Sequence, residues 1–217
     1  MKQLKLGLYL ITGDYPELSR GHLDIARAAL EGGADAIQIR EKEAGTQQLL
    51  QTALEMRNLL DNNGSECLFI VNDTVDVAVA AKADGVHVGQ NDLDPRETRS
   101  LCGPAMLVGV SASNIREAEK AEQEGADYIG LGPIFETPSK ADAAPPIGLE
   151  GLRLIRRAVR IPIVAIGGIN HDNAESVLEA GADGVAVISA VTMAADMEES
   201  VRGLRRLVDS YGKGRKR

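Results

Sequence analysis

Three polar side chains recur at every second position in the segment DAIQIREKE, where Gln38, Arg40 and Lys42 alternate with Ile37 and Ile39. Because side chains alternate between the two faces of a β-strand, all three point the same way if the strand continues to Lys42. That face is either exposed to water or part of a binding site. A guanidinium and an ammonium in a partly dehydrated site cost several kcal/mol each unless an anion meets them, so a binding site here predicts a bound anion.

Two further segments end in acidic residues. In IVNDTVD, Asn72 and Asp73 follow an apolar run, and the N-cap of the next helix is one interpretation of either residue. In HVGQNDLDP, Asp94 before Pro95 is typical of a helix N-cap and first turn, which leaves Asp92 without that role. Two carboxylates near a Lys and an Arg favour Mg²⁺ held by Asp73, Asp92 and phosphate oxygens. A plain salt-bridge cluster is the alternative.

A long segment, LGPIFETPSKADAAPPIGLEG, carries three hydrogen-bond donors suited to phosphate: Thr137, Ser139 and Lys140. Structureless segments of this length are usually functional or disordered, and the Gly and Pro residues here are typical of a mobile lid. A purely structural loop is the alternative.

The elements that position these residues alternate along the chain. Apolar runs of strand length are predicted at 6–11, 36–39, 68–71, 85–89, 106–110, 128–132, 161–167 and 184–188. Segments with apolar residues at three- and four-residue spacing predict helices, for example at 23–33, 46–62 and 114–125. A weak repeat, GGADAIQI, AKADGVHV, EGADYIGL and AGADGVAV, reads each time as a helix end, Ala-Asp and a strand.

This alternation predicts an α/β fold, a single-domain (β/α)₈ TIM barrel over residues 1–212, with a disordered basic tail at 213–217. An open doubly wound sheet is less favoured, since no GxGxxG fingerprint follows the first strand. In a barrel, Ile37 and Ile39 face the helices, and Gln38, Arg40 and Lys42 line the lumen up to its mouth. Active sites form there, where strands run into the βα loops.

The last two predicted strands end in small residues. Gly167 and Gly168 let a ligand approach the backbone, and Ser189 opens a helix or short turn. Loops after strands 7 and 8 commonly bind phosphate in this architecture. The neutral amides there suit a monophosphate, while Arg40, Lys42 and a divalent cation suit a diphosphate. Two phosphorylated substrates are therefore expected.

No catalytic nucleophile stands out within the strands. There is no Ser-His-Asp arrangement, metal-binding His pair or Lys suited to a Schiff base. His22 and His171 lie at helix starts and are interpreted as capping or surface residues, and His87 as a core histidine with satisfied hydrogen bonds. The lack of a nucleophile, together with Arg40, Lys42 and the expected metal, favours departure of a diphosphate assisted by metal and cations.

Composition narrows the class of protein. The 217 residues are 44% hydrophobic and 26% charged, with a net charge of −8, 3% aromatic residues and no Trp. A nucleic-acid partner is therefore not expected. Small-molecule substrates are expected, and whether the protein is a homo-oligomer stays open.

The apolar run at 6–11 is too short for a signal peptide or a membrane span, so a membrane partner is not expected either. Cys67 and Cys102 belong to no metal or disulfide pattern, and a cytoplasmic location is expected.

Seven segments, in order along nearly the whole chain, resemble the thiamine-phosphate synthase family: QIREK, VND, GVHVGQND, GVSAS, GLGPIFETPSK, AIGGI and VISAV. The resemblance implies a barrel enzyme that joins hydroxymethylpyrimidine diphosphate to a thiazole phosphate carboxylate, releasing diphosphate, CO₂ and thiamine phosphate. It also implies dissociation to a pyrimidine carbocation, which the thiazole nitrogen captures without a protein nucleophile.

The resemblance implies roles for particular residues. The pyrimidine diphosphate would be bound by the stretch Gln38, Ile39, Arg40, Glu41 and Lys42, with Asn72, Ser111 and Lys140. Arg40, Lys42, Ser111 and Lys140 would act in catalysis, and Asp73 and Asp92 would hold Mg²⁺. The thiazole phosphate would be surrounded by Thr137, Pro138, Ser139, Gly168, Ile188 and Ser189.

The lid departs from the family's usual Pro-Thr-x-Thr-Lys, because Glu136 replaces the Pro and Ser139 the second Thr. Serine keeps the hydroxyl donor, whereas Glu136 adds a negative charge near a phosphate-binding loop. Two alternatives stay open: a thiazole tautomerase, an isomerase on the same fold, and a non-catalytic barrel that binds a phosphorylated ligand. The retention of the whole diphosphate-binding set favours the synthase over the tautomerase.

Overall fold

Eight parallel strands form a closed barrel in chain order, with β8 paired to β1. The computed structural model describes residues 4–42, 44–137 and 144–214, apart from the side chains of residues 213 and 214. The strands are β1 (Leu8–Thr12), β2 (Ala36–Ile39), β3 (Leu68–Asn72), β4 (Gly85–Val88), β5 (Leu107–Ala112), β6 (Tyr128–Leu131), β7 (Ile163–Ile166) and β8 (Gly184–Val187). This arrangement confirms the predicted (β/α)₈ barrel.

Helices follow the strands and cover the outside of the barrel. They are α1 (His22–Gly32), α2 (Thr46–Asn62), α3 (Val75–Ala80), α4 (Pro95–Cys102), α5 (Ile115–Gln123), α6 (Gly148–Ala158), α7 (Ala174–Glu179), α8 (Ser189–Thr192) and α9 (Met197–Gly214), with a 3₁₀ turn at Pro16–Leu18. Across the described ranges, no helix combines the length and apolar character needed to cross a membrane.

Element boundaries differ from the predicted ones where backbone chemistry intervenes. α1 ends before Gly33, which has a left-handed φ of 86° and caps the helix. β7 is shorter than the predicted 161–167, because Pro162 has no N–H to donate and Gly167 turns the chain with φ 100°. α9 extends to Gly214, and residues 215–217 of the basic tail lie outside the described residues.

Strand side chains alternate between two buried layers. Ile37 and Ile39 of β2 belong to the layer between the strands and the helices, as predicted. Tyr9, Ile11 and Ile70 belong to a second cluster that fills the lumen. The lumen cluster forms the floor below the carboxyl ends of the strands.

Four aspartates occupy equivalent places at the amino ends of the even-numbered strands. Each directly follows the Ala of the repeated Ala-Asp motif. Each carboxylate accepts a hydrogen bond from a backbone N–H at the start of the preceding odd-numbered strand, at 2.7–2.9 Å. Each also forms an ion pair with an arginine. The pairs, called Asp–Arg clamps here, are Asp35 with Arg205, Asp84 with Arg57, Asp127 with Arg99, and Asp183 with Arg156.

Candidate active site

A cavity of about 400 Å³ opens at the carboxyl ends of the strands. Every strand contributes to its lining, and the contributing residues include Tyr9, Gln38, Asn72, His87, Ser111, Tyr128, Val164 and Ala186. Its size and position are those of a small-molecule site in this architecture.

Two cationic side chains lie on one rim of this cavity. β2 ends at Ile39, but the alternation persists beyond it, so Arg40 and Lys42 line the cavity together with Gln38. Arg40 is half-buried and Lys42 is exposed. Neither forms an ion pair with any residue that the structure describes. Their charges are therefore available to an anionic ligand.

Two carboxyl groups lie next to these cations. Asp73, directly after β3, has a left-handed φ of 61°, which is uncommon for a residue with a side chain and often marks a functional site. Its N–H donates to the carbonyl of His87 at 2.8 Å, so β4 holds this turn in place. The N-cap of α3 is Thr74, so Asp73 does not serve as the cap. The N-cap prediction is confirmed instead for Asp94, which accepts from the N–H of Glu97.

Asp92 approaches Asp73 closely enough for the two carboxyl groups to share a hydrogen bond. Burial, followed by the charge of Asp92, raises the pKa of Asp73 to about 6, while Lys42 and Arg40 partly oppose the increase. Asp92 itself accepts a hydrogen bond from the N–H of Gly89 at 2.7 Å. Two converging carboxylates that repel each other fit a hard divalent cation such as Mg²⁺, which takes one or two carboxylates and completes its shell with water and phosphate.

The protein contribution to such a metal site is limited to this pair. Within residues 4–42, 44–137 and 144–214, no group of three or more His, Cys, Asp or Glu side chains could hold a metal ion. Asp73 and Asp92 thus suit an ion that is shared with a phosphorylated ligand rather than one enclosed by protein.

A chain of hydrogen bonds crosses the floor of the cavity from β2 to β5. The amide nitrogen of Gln38 donates to the hydroxyl of Tyr9 at 2.8 Å, and the hydroxyls of Tyr9 and Tyr128 are 3.0 Å apart. His87 lies 3.2 Å from Tyr128 through Nδ1 and 3.0 Å from Ser111 through Nε2. Burial raises the pKa of both tyrosines, so their hydroxyls stay protonated.

In this chain each hydroxyl can donate one hydrogen bond and accept two, and the neutral imidazole donates through one ring nitrogen and accepts through the other. His87 therefore links Tyr128 to Ser111 in either of its two neutral tautomers. Burial lowers the pKa of His87 to about 4, so this neutral imidazole is a poor base for activating the serine.

The opposite rim consists of small residues. A side-chain carbon at Gly168 would lie 2.5 Å from the carbonyl oxygen of Glu136, and one at Gly167 would lie 2.6 Å from Cβ of Pro133. The loop after β6 therefore packs closely against both glycines, which also line the cavity. Ser189 begins the short helix α8, as predicted, and lines the cavity with Ile188.

The lid is partly outside the described residues. Thr137 and Ala144, on either side of the gap, line the cavity. Pro138, Ser139 and Lys140, which the sequence assigns to ligand binding, lie in the range 138–143 that the structure does not describe.

The cavity thus collects the predicted residues Gln38, Arg40, Lys42, Asn72, Asp73, Asp92, Ser111, Thr137, Gly168, Ile188 and Ser189. It does not collect Ile39, which is buried in the helix-facing layer, or Glu41, whose carboxylate lies 3.3 Å from Nε2 of His22. The capping or surface interpretation of His22 is wrong, because its ring is buried between Thr12 and Glu41. His171 is exposed, as predicted, and its Nε2 contacts the carbonyl of Ser200.

Sequence reasoning missed Tyr9 and Tyr128 as parts of the site. Both lie within runs that read as apolar strand. The available signal was register: Tyr9 is two residues before Ile11 on the lumen side of β1, and Tyr128 opens β6.

Comparison with known proteins places this geometry in a family. The sequence profile described as thiamine monophosphate synthase matches residues 8–191. The thiamine-phosphate synthase of Chloroflexus aurantiacus is 53% identical over 201 residues, covering 93% of this chain and 92% of the relative. That of Moorella thermoacetica is 54% identical over 189 residues, covering 87% and 89%.

A solved structure agrees with the sequence relatives. The thiamine phosphate pyrophosphorylase of Pyrococcus furiosus superposes with a TM-score of 0.86 at 44% identity, covering 95% of this chain and 97% of its own. The family resemblance seen in the sequence is therefore confirmed over the whole barrel, and the chain belongs to the thiamine monophosphate synthase family.

Proposed function

We propose that this enzyme is a thiamine-phosphate synthase that joins hydroxymethylpyrimidine diphosphate to a thiazole phosphate or its carboxylate. The bond from the pyrimidine methylene carbon to the diphosphate oxygen breaks, and a bond from that carbon to the thiazole nitrogen forms. Diphosphate leaves with the bonding electron pair, and CO₂ leaves as well when the carboxylate is the substrate. The substrate identities come from the family, and the anion sites come from the geometry.

The observation that carries this proposal is the presence of two cations and two carboxyl groups on one rim of the cavity, without an ion pair between them. Arg40 and Lys42 lie beside two carboxyl groups without forming an ion pair with any described residue. Charged groups held apart in this way favour a ligand that brings both negative oxygens and a divalent cation. A diphosphate bound with Mg²⁺ meets both requirements.

Each residue on this rim has a role in releasing the diphosphate. Arg40 and Lys42 bind its oxygens, and the hydroxyl of Ser111, which lines the cavity and contacts Nε2 of His87, donates to them. Asp73 and Asp92 would hold Mg²⁺, which when bound supplies positive charge to stabilise the leaving diphosphate. Such preorganised charges stabilise a leaving group without a protein nucleophile.

The other rim would position the acceptor. Thr137, Gly168 and Ser189 surround a space where backbone amides and hydroxyls suit the phosphate of the thiazole. This placement keeps the thiazole nitrogen across the cavity from the diphosphate, so the pyrimidine methylene carbon lies between its leaving group and its acceptor.

A diphosphate-release assay tests this function. The purified enzyme is supplied with Mg²⁺ and either substrate alone or both together, and diphosphate is measured enzymatically. We expect stoichiometric diphosphate and thiamine phosphate only when both substrates are present. Isomerisation of the thiazole phosphate without diphosphate release would identify a tautomerase, and binding without turnover would identify a non-catalytic barrel.

A further inference from the structure

The imidazole of His87, on β4, lies between a buried tyrosine and the serine on the diphosphate rim. Its side chain is 8% exposed. Nδ1 is 3.2 Å from the hydroxyl of Tyr128, and Nε2 is 3.0 Å from Oγ of Ser111 on β5. The backbone of Ser111 is held separately, because the side-chain amide of Gln90 donates to its carbonyl at 2.6 Å. His87 therefore contacts the one part of Ser111 that Gln90 leaves free to rotate, the hydroxyl.

Two glycines on the neighbouring strands make room for this ring. A side-chain carbon at Gly109 of β5 would lie 2.6 Å from Nδ1 of His87, and one at Gly130 of β6 would lie 2.8 Å from Cε1. The ring also packs against Tyr128, with the two ring centroids 5.5 Å apart. An imidazole enclosed in this way has little space to change rotamer, so Nε2 stays directed at Ser111.

The two neutral tautomers of His87 leave Ser111 with different capacities. If Nε2 is the acceptor, Ser111 donates its only proton to the imidazole and has none for a ligand. If Nε2 carries the proton, it donates to Ser111, and the serine proton is available to an anion. The rest of the chain can support this second tautomer, because Nδ1 can accept from Tyr128, whose hydroxyl can accept from Tyr9.

We infer that His87 is a positioning residue that donates from Nε2 to Ser111 when diphosphate is bound, and so leaves the serine proton for the diphosphate. The inference deepens the proposed function and rests on it, because the diphosphate is the acceptor that selects this tautomer. It gives His87 no proton to transfer, since the imidazole stays neutral throughout.

Substitutions at His87 separate the two ring nitrogens. His87→Asn places an amide near the position of Nδ1, so it keeps a partner for Tyr128 and loses Ser111. His87→Gln extends its amide towards the position of Nε2, so it can still donate to Ser111. In the diphosphate-release assay we expect kcat to fall about tenfold in His87→Asn, the scale of one lost hydrogen bond, and by less than about threefold in His87→Gln. Equal losses in the two variants would overturn the inference.

A second cycle of variants tests for a direct contact, because His87 itself lines the cavity. If His87 acts through Ser111, adding His87→Asn to Ser111→Ala should lower kcat by less than about twofold further. A role in folding alone, or a contact of His87 with the substrate, predicts the same tenfold loss in both backgrounds. An undiminished loss in the double variant would therefore contradict the role given to His87.

Nuclear magnetic resonance of the parent protein locates the proton without any substitution. With ¹⁵N-labelled histidine, Nε2 of His87 should carry the proton in the complex with inorganic diphosphate and Mg²⁺. His171, whose Nε2 lies 2.9 Å from the carbonyl of Ser200, is the internal control, and its signals should not change on binding. Failure of the parent to bind diphosphate would contradict the proposed function, whereas binding with the proton on Nδ1 would contradict the role of His87 alone.

Discussion

The two ends of this barrel use the same charged residue types in opposite ways. At the amino ends of the strands, each of four aspartates is matched by an arginine and by a backbone N–H in an Asp–Arg clamp. At the carboxyl ends, Arg40 and Lys42 form no ion pair with a described residue, and the carboxyl groups of Asp73 and Asp92 lie against each other.

The difference shows which charges contribute to folding and which to binding. A carboxylate whose partners are built into the chain is satisfied in the folded state and stabilises it. A carboxylate placed beside another is unfavourable until a cation arrives, and a rim cation is equally dependent on an anion. Stability is thus concentrated at one end of the barrel and ligand binding at the other, the usual division in this architecture.

The largest expected effect is at the carboxyl end. Asp92→Ala should lower turnover by at least about two orders of magnitude, the scale of losing one preorganised electrostatic group. The free energy of unfolding should change by less than about 1 kcal/mol, because the residue is not part of the core. Steady-state rates and urea denaturation measure the two quantities, and near-normal turnover at saturating Mg²⁺ would contradict the role given to Asp92.

The reverse outcome is expected at the amino end. Asp35→Ala leaves Arg205 and the N–H of Leu8 without this partner, so the free energy of unfolding should fall by about 2 kcal/mol. Turnover at a temperature where the variant is folded should stay close to that of the parent.

An exposed ion pair provides the matched control. Glu198 pairs with Arg202 on the surface of α9, and Glu198→Gln should cost less than about 0.5 kcal/mol. If Asp35→Ala costs no more than this control, the clamps do not stabilise the barrel, and the comparison between the two ends fails.

Lys140 extends the comparison to the lid. Its assignment rests on the family resemblance, since it lies outside the described residues. Lys140→Ala should weaken binding of the pyrimidine diphosphate about tenfold more than binding of the thiazole phosphate, because the charge of Lys140 is assigned to the diphosphate. Substrate titrations of the variant measure both effects, and equal losses for the two ligands would contradict that assignment.

The smallest expected effect is a pH-dependent change in the free energy of unfolding, caused by the carboxyl group of Asp73. The pKa of Asp73 is raised from 3.8 to about 6 in the folded protein, so ionisation there opposes folding above pH 6. Without metal, Asp73→Asn should therefore be more stable than the parent by about 1 kcal/mol at pH 8, after allowance for solvent screening of a half-buried group.

That advantage should disappear as the pH falls from about 6 to below 3.8, where the parent carboxyl is protonated in both the folded and unfolded states. Denaturant titrations of both proteins in chelator, at several pH values, provide the measurement. An Asp73→Asn variant less stable than the parent at pH 8 would show that this carboxylate is satisfied like those in the clamps.

Much of the site followed from local rules. The alternation in QIREK predicted that Gln38, Arg40 and Lys42 face one way, and the strand ends predicted that Asp73 and Asp92 meet them. Parallel strands of a barrel bring their carboxyl ends to one rim, so the positions of these residues along their strands were sufficient.

The rest depended on contacts between distant residues. His22 lies at a helix start, where an exposed or capping role is common, and its true partners are 10 and 19 residues away. The repeat around Ala-Asp was visible in the sequence, but its arginine partners were not, because they come from helices whose orientation only the closed barrel fixes. Side-chain partners at long range have no local signature.

The four clamps also differ in how far apart their members lie along the chain. Three of them join residues separated by 27 or 28 positions, from a helix over the following strand and helix to the next strand, whereas Asp35 and Arg205 are 170 positions apart. On the ribosome, the three local clamps can therefore form soon after each unit emerges. The clamp at Asp35 can form only after α9 has been synthesised, so closure of the barrel between β1 and β8 is a late step in folding during synthesis.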